Sequence, residues 1–190
     1  MLTVLVIDES KARAGEICAG LALAGYQVAA ILAGADNLTA EVEKLQPDVI
    51  LIDTDSPSRD TLENLAAMNK DMPRPVVIFT QEDGQETIRD AVKAGVSAYI
   101  VDGLDPKRIK PIVEVARARF EDTQALRREL DEISQKLSDR KLVDKAKGVL
   151  MKARGLDEDA AYHAMRKLAM ERGQSMAKVA RDVIDMARVL

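Results

Sequence analysis

Five short, unbroken apolar runs punctuate the N-terminal part of this chain: residues 3–7 (TVLVI), 28–32 (VAAIL), 49–52 (VILI), 76–79 (VVIF) and 98–101 (AYIV). A strand with one wet face would alternate polar and apolar residues. Continuous runs of this length instead suit strands covered on both faces, as in a parallel sheet. Between the runs lie helix-length segments, with Gly25, Pro47, Pro73 and Gly95 where a helix should stop or a strand start. The expected fold is an α/β doubly wound, five-stranded parallel sheet of flavodoxin-like type, with its sites at the carboxyl ends of the strands.

After Pro106 the pattern changes. Beyond Pro111 there is neither Pro nor Gly as far as Leu137, and Leu126, Leu130, Ile133 and Leu137 follow 4-3-4 spacing amid dense charge. That spacing is a short coiled-coil seam, which would make the chain a homodimer; the alternative is one amphipathic helix lying on its own domain. The remaining residues read as three helices. The first, 140–154, ends at Gly155. Asp157 caps a second that ends at Gly173, and Ser175 caps a third. Apolar stripes containing Ala146, Val149 and Leu150, then Ala161, Met165 and Leu168, then Val179, Ala180 and Val183 would close a small all-α bundle. The expected domains are 1–112, a helical linker 113–138, and 139–190.

The single cysteine, Cys18, excludes an internal disulfide and reads as packing, and lone His163 has no ligand partner in the pattern. No stretch is long and apolar enough to span a membrane and no signal peptide is evident, so a cytoplasmic, membrane-free protein is expected. The net charge of −4 is unevenly spread. Residues 1–138 carry 16 Lys and Arg against 24 Asp and Glu, whereas residues 139–190 carry 12 against 8. Such asymmetry fits a chain of which only the C-terminal part meets phosphates.

Asp8 and Glu9 follow the first apolar run and Asp53 follows the third, which brings three carboxylates to one sheet edge. They would repel one another unless a divalent cation such as Mg²⁺ held them, and a carboxylate beside such a cation can accept a phosphoryl group. With Pro57, Thr80 and Tyr99 in place as well, residues 1–120 resemble a response-regulator receiver domain. The resemblance implies that Asp53 is the phosphoacceptor, that Asp8, Glu9 and Asp53 hold Mg²⁺, and that Thr80 and Tyr99 act as the switch pair. Two departures stand out. Glu9 replaces the usual Asp and lengthens that side chain by about 1.5 Å. Asp102-Gly103 replaces the Lys-Pro that follows the fifth strand. A carboxylate about 4 Å from a phosphoryl oxygen costs on the order of 4 kcal/mol at an effective dielectric of 20. Asp102 therefore argues for weak labelling of Asp53 by small phosphodonors, and for a signal delivered by a sensor protein that masks the regulator in preference to phosphorylation by a histidine kinase.

Plotted on a helix, 140–154 carries Lys141, Lys145 and Lys152 along one margin of its apolar face, and Arg140, Lys147 and Arg154 along the other. Arg166 and Lys167 add charge from the next helix. These residues could snorkel from a solvated helix or track a phosphate backbone. The segment 140–151 (RKLVDKAKGVLM), continued by 155–162 (GLDEDAAY) and 176–180 (MAKVA), resembles the ANTAR domain of the AmiR/NasT regulators, most nearly the NasT-type nitrate-assimilation proteins. That resemblance implies binding of stem-loops in leader RNA, and hence transcription antitermination. Arg140, Lys141, Lys145, Lys147, Lys152, Arg154, Arg166 and Lys167 would then meet the RNA, and Tyr162 would stack on a loop base. No second nucleophile–base pair or phosphate-cradling loop suggests an enzyme. The competing readings are a DNA-binding response regulator, for which the last helix lacks base-reading side chains, and a protein-sequestering adaptor that touches no nucleic acid.

Overall fold

A computed structural model of the chain describes residues 1–8, 13–101, 105 and 107–189. They divide into two compact units, Met1–Gln124 and Ala125–Leu190. The first unit holds five strands: β1 (Thr3–Asp8), β2 (Gln27–Leu32), β3 (Val49–Asp53), β4 (Val76–Thr80) and β5 (Ala98–Val101). Its helices are α1 (Ala14–Leu23), α2 (Leu38–Leu45), α3 (Arg59–Asp71), α4 (Gln85–Lys93) and the beginning of α5 (Ile109–Arg154). All strands are parallel, in the order β2-β1-β3-β4-β5. This is the doubly wound fold expected from the apolar runs.

The runs are unbroken because both sheet faces are covered. Leu5, Ile7, Ile50, Ile52, Val76 and Ile78 pack with residues of α2, α3 and α4. Their neighbours Val4, Val6, Val49, Leu51, Val77 and Phe79 pack with Ile17 and Leu21 of α1 and with Ile109, Val113 and Ala116 of α5. Successive residues thus serve opposite cores. The helix boundaries have local causes. Ser58 caps α3 by accepting the Thr61 N–H at 3.0 Å. Gly95 ends the α4 turn at φ +92°, and a Cβ there would lie 2.6 Å from Asn69 Nδ2, which donates to the Ala94 carbonyl. Only glycine meets both demands.

α5 is one helix of 46 residues, continuous through both the expected linker and the expected first helix of the bundle. Pro111 falls in its first turn, where the missing N–H costs no helical bond, and Gly148 is its only later weak position. Along it, Leu126, Leu130, Ile133 and Leu137 are 54–65% exposed.

The second unit contains the end of α5, α6 (Glu158–Arg172) and α7 (Met176–Val189). Its core joins Ala146 of α5 to Met165 and Ala169 of α6 and to Val179, Ala180 and Ile184 of α7. Asp157 caps α6 through a 2.7 Å bond from the Ala160 N–H, and Gly173 closes it in the left-handed region. Among the described residues no helix is long and apolar enough to cross a membrane.

Candidate functional site

Asp8 and Asp53 are the last residues of β1 and β3, and parallel pairing makes them register partners. Both are buried, at 1% and 0% exposure. Glu9 and Asp102, expected to belong to the same site, lie outside the described residues.

A residue not singled out in the sequence completes the arrangement. Arg13, immediately before α1, brings its Nε to 2.9 Å from Asp53 Oδ2 and its Nη2 to 3.2 Å from Asp55 Oδ1. The second contact is a hydrogen bond. The first is an ion pair. Burial pushes the Asp53 carboxyl above its ordinary value, the Asp8 and Asp55 carboxylates push it further, and the Arg13 guanidinium pulls it back. Asp53 Oδ1 is buried with no hydrogen-bond partner among the described residues. A buried, unsatisfied carboxylate oxygen beside a second carboxylate is the donor chemistry that a hard divalent cation takes. No group of three metal-binding side chains occurs among the described residues.

Thr80 ends β4 beside this edge and is buried. Its hydroxyl donates to the Asp55 carbonyl at 2.8 Å and accepts from the Glu82 N–H at 3.1 Å. Half-buried Tyr99 on β5 donates its hydroxyl to the Glu82 carbonyl at 3.0 Å, and burial raises its pKa. Thr80 and Tyr99 therefore hold the same loop from two strands. Buried Pro57 follows β3 just before the α3 cap.

In the second unit the basic residues split into two groups. Arg140, Lys141, Lys145, Lys152, Arg154, Arg166 and Lys167 are exposed. Lys147 differs: its side chain is 15% exposed, and its Nζ lies 2.7 Å from both Asp144 Oδ1 and Glu158 Oε1. Its ammonium thus pairs with one carboxylate of α5 and one of α6. Tyr162 is 40% exposed, with an edge-on ring contact to His163 at 6.0 Å.

Comparison with known proteins gives two family matches. Residues 4–114 match the response regulator receiver domain, and residues 131–184 match the ANTAR domain. The transcriptional regulatory protein PdtaR of Mycobacterium tuberculosis H37Rv is 29% identical over 161 residues, covering 85% of this chain and 78% of that protein. A nitrate regulatory protein of Klebsiella oxytoca is 36% identical over 75 residues, 40% of this chain but 19% of that protein. Among solved structures, a CheY-like receiver domain from Methanospirillum hungatei superposes with a TM-score of 0.56 at 22% identity, covering 65% of this chain and 98% of that one.

Proposed function

The chain belongs to the response regulators that carry a receiver domain and an ANTAR domain, and from that premise we propose that it binds stem-loops in leader transcripts and prevents transcription termination. The functional division we propose is a receiver at 1–112, a helical linker at 113–138 and an RNA-binding module at 139–190. One observation carries this reading. Lys141, Lys145 and Lys152 fall within about 40° of one another on a helix of 100° per residue, and all three are exposed. A line of exposed cations, with no ion pair among the described residues, suits a phosphate backbone, whose affinity comes from releasing counterions. Exposed Tyr162 supplies a flat face for an unpaired base.

The apolar stripe Leu126, Leu130, Ile133 and Leu137 supports a homodimer, because four large side chains on one helical line stay in water in the single chain. Two modules held together would engage two stem-loops with the gain of an intramolecular second step. Control comes from the receiver. Asp8 and Asp53 would hold Mg²⁺, which neutralises charge on a phosphoryl group presented to Asp53. Thr80 and Tyr99, joined through Glu82, would carry the change to the β4–α4 loop. A histidine kinase or a sensor protein supplies the input, in the cytoplasm where transcripts are made. The local likeness to a nitrate regulatory protein points to nitrate or nitrite assimilation as the target process.

The test is anisotropy of a labelled RNA hairpin with the full chain, against duplex DNA at matched salt. Tight, salt-sensitive hairpin binding that falls at least about tenfold when Lys141, Lys145 and Lys152 are together changed to Gln supports the reading. Preference for duplex DNA would make the chain a DNA-binding regulator. No affinity for either would make it a protein-sequestering adaptor.

A further inference from the structure

We propose that Arg13 is a built-in counter-ion of the Asp53 site, competing with a divalent cation for Asp53, so that the cation settles there only when the guanidinium withdraws. A carboxylate at 0% exposure, paired in register with a second buried carboxylate, is an unfavourable place for negative charge. Among the described residues, Arg13 pairs with Asp53 and offsets part of that cost. Guanidinium stays charged at all ordinary pH, and its planar fork can hold two carboxylates at once. Here one arm reaches Asp53 Oδ2 at 2.9 Å and another reaches Asp55 Oδ1 at 3.2 Å.

The two anchors are unequal, which makes the contact a candidate for movement. Asp53 is sealed from solvent, whereas the Asp55 side chain is 80% exposed and that of Arg13 31%. The Asp55 contact is a hydrogen bond to a partner that stays in solvent. A guanidinium leaving Asp53 thus keeps Asp55 as a partner and gains water. A cation seated on the Asp53 carboxylate would sit within a few ångströms of the guanidinium, and like charges so close repel. The two cannot share Asp53 at full strength. Arg13 also immediately precedes α1, so its withdrawal would be felt at the start of that helix.

The experiment uses the full chain with Mn²⁺ as the probe, followed through the loss of the free-ion electron paramagnetic resonance signal. Arg13→Gln should tighten Mn²⁺ binding by about tenfold or more, and Asp53→Asn should abolish it. Equal or weaker binding by Arg13→Gln, or no binding by either wild type or Arg13→Gln, overturns the proposal. A second readout does not depend on any variant folding. In wild-type protein the Arg13 Nε–Hε resonance, assigned through bonds, should move toward the position of a solvated guanidinium as Mg²⁺ is added. A resonance unmoved at saturating Mg²⁺ overturns the proposal equally. Neither measurement involves RNA, so a failure here would leave the antitermination reading standing, and the reverse holds too.

Discussion

The Lys147 ammonium sits 2.7 Å from the Glu158 carboxylate and so ties α5 to the first turn of α6. With Asp144 at the same distance on its other side, Lys147 is held as a cation, and Asp144 in turn is held below the usual carboxylate range. Two facing elements are therefore joined by charge as well as by the Ala146–Met165 core.

Lys147→Gln should then behave as a stability variant rather than an RNA-binding variant. Its melting temperature should fall, with the difference shrinking as salt is added. Its hairpin affinity should drop less than that of Lys141→Gln or Lys145→Gln, in side-by-side anisotropy titrations. An equal or larger drop for Lys147→Gln would mean that the ammonium leaves its carboxylates for the RNA.

Breaking the exposed stripe should change assembly without unfolding the chain. Leu130→Glu with Leu137→Glu should convert a dimer to a monomer in sedimentation velocity. Both positions are more than half exposed, so the monomer's own stability should shift by no more than about 0.5 kcal/mol. Unchanged sedimentation would show that the helix does not pair through this stripe.

Asp53 carries a stability penalty whose sign follows from its environment. Burial raises its pKa first, Asp8 and Asp55 add to the rise, and Arg13 only partly offsets them. The folded chain therefore holds this proton more tightly than the unfolded chain. Stability contributed by the protonated group is lost as pH rises through the folded value, leaving a charged, costly carboxylate at neutral pH. Asp53→Asn should raise the melting temperature at neutral pH, and the gain should narrow on acidification. A lower melting temperature at neutral pH would mean that the Arg13 pairing outweighs burial.

Tyr26 gives the matching alkaline prediction. Its hydroxyl donates to Glu114 Oε1 at 2.9 Å, linking the residue before β2 to α5. Burial, then the Glu114 carboxylate, push it up to about 12 from an ordinary 10.0. Its contribution is complete below pH 10.0 and is lost as pH climbs through about 12, because the unfolded chain gives up the proton first. An ultraviolet titration should find a late tyrosinate that Tyr26→Phe removes. The same substitution should flatten the alkaline fall in stability; a late titration that survives it would refute the assignment.

The sequence by itself determined the sheet, the edge and the outline of both units. Strand character, helix caps and the 4-3-4 stripe are written in residues a few positions apart, because burial on one or two faces imposes a period that a short window reveals. That Asp8 and Asp53 would meet followed from placing both at strand ends in a parallel sheet, which is topology rather than contact. Tertiary structure alone decided which charges are matched. Nothing near Arg13 in the chain announces that it reaches Asp53 and Asp55, 40 and 42 positions away. Nor does anything mark Lys147, among the lysines and arginines of 140–154, as the one enclosed by two carboxylates. The helical plot put it with Arg140 and Arg154, which remain exposed. The physical reason is range. A local pattern records which face a residue turns inward, whereas the partner of a charge is set by where distant segments come to rest once the cores have closed.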